Sequence, residues 1–171
     1  MRHHTKDKGD LGLVSVVADL MRHGIQVALP ISEHLPFDCI GISPQGALVR
    51  ISVKYREVKA GRVEVRLRSS WADRNGSHNK NHSPTDYDVT AIYCPDSGAC
   101  YYVVNSEVNA SNTLVLRVDR ARNNQAKYVK LAGNFRDPRR IFKSPGSSGG
   151  QSKSLLSSRS GVRVPPGVPT S

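Results

Sequence analysis

Two short apolar segments carry an aspartate and a lysine where both could work on one substrate. Pro36-Phe37-Asp38 opens the first, and Ser52-Val53-Lys54 lies in the second. Ser43-Pro44-Gln45-Gly46 between them has turn chemistry, so the two segments read as an antiparallel hairpin. Ser52 and Lys54 are two residues apart and share one face of their strand. An aspartate carboxylate is a hard oxygen ligand suited to Mg²⁺, with Mn²⁺ as the second candidate. A neighbouring lysine can activate a water or stabilise charge on a phosphate. Asp38 and Lys54, with Ser52 on the lysine's face, are thus the parts of a metal-assisted phosphodiester hydrolysis site. On these residues alone a surface ion pair is the simpler explanation.

The charge of the chain supplies context. Lys and Arg number 25 against 14 Asp and Glu in 171 residues, a formal net charge of +11. Such a surface draws a polyanion, and nucleic acid is the commonest one. A ribosome-associated or simply basic protein shares that balance. Arg50, Arg56, Lys59, Arg62, Arg66, Arg68, Arg74 and Lys80 cluster around and after the candidate site. They are the expected contacts to such a polyanion, mostly through phosphates. No apolar run is long enough to cross a bilayer, and no apolar segment of a secretory signal follows the basic start. Cys39, Cys94 and Cys100 are too few for a disulfide framework, so reduced thiols in the cytoplasm are expected. Cys94 and Cys100 bracket a turn and are placed to face each other across it. His78-x3-His82 lies upstream of them, but these spacings are loose for a structural zinc site.

Elements must position these residues. Residues 10–23 read as a helix, capped by Asp10 and ended by Gly24. Leu11, Val14, Val17, Ala18 and Met21 recur at helical spacing, and Leu13, Val16 and Leu20 widen that face. The helix is therefore expected to be largely buried. Strand signals follow at 25–30, 37–42, 47–55 and 62–68. Arg62, Arg66 and Arg68 fall on one side of the last. Residues 72–86 read as a polar loop. A second hairpin, 87–93 and 99–104, turns at Pro95-Asp96-Ser97-Gly98, and 114–118 is a last strand. Residues 123–135 form a mixed segment, helical near its end. From Lys143 the chain turns Ser/Gly/Pro-rich, which predicts a folded domain at 1–142 and a disordered tail at 143–171.

In this order the segments resemble the PD-(D/E)xK nuclease superfamily. More narrowly, they are similar to the intron-associated homing endonucleases of cyanobacterial group I introns. The resemblance covers roughly residues 8–135. It rests on Lys8-Gly9-Asp10-Leu11-Gly12, Leu35-Pro36-Phe37-Asp38, Val49-Arg50-Ile51-Ser52-Val53-Lys54, Arg68-Ser69-Ser70 and Asp88-Val89-Thr90-Ala91-Ile92-Tyr93-Cys94-Pro95. Leu116-Arg117-Val118-Asp119 and Asn123-Asn124-Gln125-Ala126-Lys127 complete it. It implies an α/β fold: a restriction-endonuclease-like mixed β-sheet with a packed N-terminal helix. It implies Mg²⁺-dependent cutting of double-stranded DNA by a homo-oligomer, a dimer or tetramer, since cutting two strands takes two sites. Asp38 matches the family's metal-binding aspartate, and Lys54 its lysine. The family has Glu, Asp or Gln where this chain has Ser52, and a helical glutamate where it has Leu13. Asp10, one turn before Leu13, is the replacement candidate for the metal. Two alternatives stay open: a weakened or inactive DNA-binding protein on the same scaffold, and a structure-selective nuclease for branched DNA.

Overall fold

Helix α1 spans His4–Arg22 and starts well before the apolar spacing predicts. Thr5, Lys6, Asp7 and Lys8 contain no helix breaker, and Asp7 sits in the first turn, where the helix dipole favours a carboxylate. Asp10 is therefore an interior helix residue and not the predicted cap. The expected apolar face is also corrected. Gly12, Val16 and Leu20 are buried, whereas Leu11, Val14 and Met21 are exposed. The helix carries apolar residues on two sides, and the sheet takes the side where Gly12 permits close approach. A Cβ at position 12 would stand 3.4 Å from the Tyr55 Cβ.

The structure is a computed structural model describing residues 4–32, 34–74, 76–81, 86–107, 113–118 and 129–142. After α1 come β1 (Gln26–Ala28), β2 (Cys39–Ile42), β3 (Leu48–Tyr55), β4 (Arg62–Arg66), β5 (Arg68–Asp73) and β6 (Gly76–Asn81). Then follow β7 (Val89–Cys94), β8 (Ala99–Val104) and β9 (Thr113–Arg117). Short 3-10 turns form at Asn105–Glu107, Ala132–Phe135 and Pro138–Phe142. The predicted tail lies outside the described residues.

One sheet runs in the order β1-β2-β3-β7-β8. Only the β3–β7 pair is parallel, so the sheet is mixed, as expected. The β2–β3 turn closes through Ser43, whose Oγ accepts the Ala47 amide at 3.0 Å, and through Gly46 at a φ of 83°. The sheet has a core on each face. On one side Val16 and Leu20 of α1 meet Val49, Ile51, Val89, Ala91 and Tyr102. On the other, Val63 and Val65 of β4 and Leu114 and Leu116 of β9 cover Ile92, Cys94, Tyr101 and Val103. β7 and β8 are buried on both faces, which is why they read as continuous apolar runs.

Two further expectations change. The polar segment after residue 72 does not form one loop: β5 and β6 pair as a ribbon from Arg68–Asn81 to Asp73–Gly76. Polar side chains masked a strand pair that alternation of apolar residues could not reveal. Arg68 accordingly belongs to β5, separate from Arg62 and Arg66 on β4. Cys94 pairs with Ala99 and Cys100 with Tyr93, one step out of register. The two thiols thus enter cores on opposite faces and do not meet. His82, of the weighed zinc pattern, lies outside the described residues.

Candidate active site

Asp38 immediately precedes β2 and is tied to β3 twice. Its amide donates to the Ile51 carbonyl at 2.9 Å, and its Oδ2 accepts the Val53 amide at 2.5 Å. Asp38 directly precedes the Cys39–Ile51 pair, so it stands at the end of the hairpin that carries Ser52. The parallel β3–β7 register sets Thr90 beside Ser52. Ser52 and Thr90 are therefore neighbours on one face, and Asp38 stands at the end of β2 next to β3. Lys54 shares that face, two residues along β3. The hairpin that the sequence predicts thus brings Asp38, Ser52 and Lys54 together.

Their environments differ. The Asp38 residue is exposed, whereas Ser52 is 2% exposed. Burial pulls the Lys54 ammonium below the usual lysine pKa; the Asp38 charge opposes that fall, and Arg56 adds to it. Burial and the nearby Arg66 charge likewise hold Arg56 down. Positive charge is thus concentrated along one face from Lys54 through Arg56 toward Arg66.

Arg56, Lys59, Arg62 and Arg66 line an open cleft of about 830 Å³ with Lys8 and Tyr55. Glu57 and Glu64 also line it, and Lys8 pairs with Glu57 at 2.7 Å. Val63 and Val65 anchor β4 in the core, which leaves Arg62, Glu64 and Arg66 outward. Arg74 is exposed at the turn of the β5–β6 ribbon, and Lys80 stands opposite Ser69 on its second strand.

Two candidates lie elsewhere. Asp10 is exposed on α1, which packs on the Val53 and Tyr55 face, opposite Ser52 and Lys54. Leu13 packs into the core on that α1 side. The Arg50 guanidinium is engaged by Asp88: Nη2 donates to Oδ1 at 3.0 Å and Nε to Oδ2 at 3.2 Å. The Arg50 amide reaches the same carboxylate at 2.8 Å. Burial pushes the Asp88 pKa up, but these hydrogen bonds and the Arg50 charge outweigh it and hold it below the usual range. Sequence reasoning missed Asp88 as a partner, since only the parallel register sets it beside Arg50. It missed Tyr87 as well, a fully buried tyrosine at the head of β7.

Residues 3–138 match the family model described as PD-(D/E)XK endonuclease. The chain belongs to the PD-(D/E)XK endonuclease family. No curated protein matches the sequence. Among solved structures, one titled as the structure of a bacterial homing endonuclease, I-Ssp6803I, has the same fold with a TM-score of 0.63. It is 17% identical, and the match covers 81% of this chain and 92% of that one. In this PD-(D/E)XK chain Asp38 and Lys54 lie on the same hairpin, and the Asp38 charge acts on Lys54. Ser52, two residues before Lys54, carries a buried hydroxyl. Among the described residues, no group of three or more His, Cys, Asp or Glu gathers to hold a metal ion.

Proposed function

We propose that this PD-(D/E)XK protein is a divalent-metal-dependent DNA endonuclease of the homing type, hydrolysing phosphodiester bonds in double-stranded DNA. The observation that carries the reading is Asp38 bonded to the amide just before Lys54 and within reach of its charge, next to a basic cleft lined by Arg56 and Arg66. Phosphates laid along that cleft meet Arg56, Lys59, Arg62 and Arg66, which fix position without reading sequence.

Mg²⁺ is commonly held by one or two carboxylates, with waters and substrate phosphates filling the rest of its shell. Asp38 fits such a site. A carboxylate offers about four lone-pair sites, and the Val53 amide takes one. Mg²⁺ or Mn²⁺, when bound, supplies neutralising charge at the phosphate and lowers the pKa of a water. Lys54, stripped of much of its hydration, directs its ammonium at the phosphate or the attacking water. Ser52 adds a neutral hydroxyl beside Asp38. Two-strand cutting calls for two copies of this site, hence a homo-oligomer.

Nicking of plasmid DNA with Mg²⁺ or Mn²⁺ tests the reading. Wild-type protein should nick, and Asp38→Ala and Lys54→Ala should not. Ser52 favours a second reading, DNA binding without cleavage. Salt-sensitive DNA binding with no nicking in either metal would establish that alternative. A coding region inside a group I intron would support the homing type.

A further inference from the structure

β5 and β6 form a two-stranded sheet of their own and pair with no other strand among the described residues. Such a ribbon is marginal by itself in water. Its composition works against it further: Asn79 and Asn81 stand within β6, and asparagine is depleted in strands. Local choices that oppose the fold cluster at functional positions. The ribbon also leads directly out of the basic cleft. Arg66 closes β4, Leu67 packs against the core and Arg68 opens β5. Along the ribbon Arg68, Arg74 and Lys80 outnumber the single acid, Asp73.

The register sorts the ribbon into two faces, since cross-strand partners share a face and successive pairs alternate. Arg68–Asn81, Ser70–Asn79 and Ala72–Ser77 fall on one face. Ser69–Lys80, Trp71–His78 and Asp73–Gly76 fall on the other. Every residue type on the first face has a partner on base edges in the major groove. Arginine suits guanine, asparagine suits adenine, serine bonds either, and alanine packs on the thymine methyl. The second face carries Asp73, the bulky Trp71 and no asparagine. The major groove admits a two-stranded ribbon. Six residues of strand span about 17 Å, the rise of about five base pairs.

We propose that the β5–β6 ribbon enters the major groove of double-stranded DNA, where Arg68, Asn79 and Asn81 read base edges. The cleft then holds phosphates, and the ribbon supplies sequence preference. This role rests on the DNA-binding half of the reading above and is independent of cleavage.

The test selects bound sequences from a duplex library with a randomised core, using the full chain in EDTA and in Ca²⁺. Wild-type protein should enrich one sequence. Asn79→Ala and Asn81→Ala should each lower affinity for it about 10- to 100-fold. Affinity for a scrambled duplex should not change, which also shows that the fold is intact. Arg68→Ala should relax the preference at one guanine, and Asn79→Arg should exchange an adenine for a guanine. His78→Ala, on the other face, should leave the enriched sequence as it is. An enriched sequence that Asn79→Arg does not alter overturns the proposal. Equal loss on the enriched and scrambled duplexes in both alanine variants of Asn79 and Asn81 also overturns it. So does a wild-type protein that binds duplex DNA and enriches nothing. A wild-type protein that enriches a sequence but never nicks defeats the cleavage reading alone. One that binds no duplex defeats both.

Discussion

The Asp38 carboxylate accepts the amide of Val53, the residue immediately before Lys54, so one hydrogen bond fixes the spacing between acid and base. The bond belongs to the side-chain oxygen, and an amide oxygen can replace it. Asp38→Asn should therefore fold with nearly wild-type stability. Its nicking rate should fall at least about 100-fold, near 3 kcal/mol of barrier, because the charge proposed to hold the metal is gone. DNA binding in EDTA should tighten slightly, since one negative charge has left a basic surface. Nicking and gel-shift measurements on the same preparation check both halves.

Lys54 is charged against its environment. Burial lowers its pKa in the folded state, and Arg56 adds to that. The unfolded chain then binds more protons than the folded one between the lowered pKa and the ordinary value of 10.5. Stability from this residue accordingly rises as pH climbs through that window. Lys54→Met removes the cost of burying the charge, so it should raise Tm at neutral pH and flatten that rise. It should also reduce nicking by roughly 100- to 1000-fold, the usual loss when a group stabilising developing charge is removed. A variant that melts lower than wild type at neutral pH would contradict the argument.

The hairpin and its two charged residues were legible because turn chemistry and strand alternation are local signals. The register that sets Ser52 beside Thr90 was not, since β3 and β7 pair across a long connection. The same long-range pairing hid the Arg50–Asp88 ion pair, and Arg50 read as a DNA contact. The β5–β6 ribbon escaped notice because its residues are mostly polar, and periodicity shows only where one face is apolar. On α1, spacing alone could not choose between two apolar sides; the close approach at Gly12 chose.

Arg50 should behave as a structural residue. Arg50→Ala removes two hydrogen bonds from the Asp88 carboxylate and leaves the Arg50 backbone bond. The expected loss is about 1–2 kcal/mol, or about 2–4 °C in Tm per kcal/mol. The pH dependence follows from Asp88, whose folded pKa lies below its ordinary 3.8. Its contribution is complete above that ordinary value and is lost as pH falls through the folded one. Wild-type protein should therefore lose more stability than Arg50→Ala between pH 5 and strongly acid solution. Denaturant melts at several pH values measure the difference. Salt dependence of DNA binding should stay unchanged.

Arg66 should behave in the opposite way. It projects outward from β4, lines the basic cleft and makes Arg56 costlier to charge. Removing it relieves that repulsion, so Arg66→Ala should cost no stability and could raise Tm slightly. DNA affinity at low salt should drop because one proposed phosphate contact is gone. Each neutralised phosphate contributes about 0.9 to the slope of log affinity against log salt. Arg66→Ala should lower that slope by about 0.9, and Arg62→Ala with Arg66→Ala by about 1.8. The loss should be similar on unrelated duplexes, because phosphate contacts carry no sequence information. A slope that stays at the wild-type value in the double variant would remove β4 from the DNA path and leave the β5–β6 ribbon as the candidate surface.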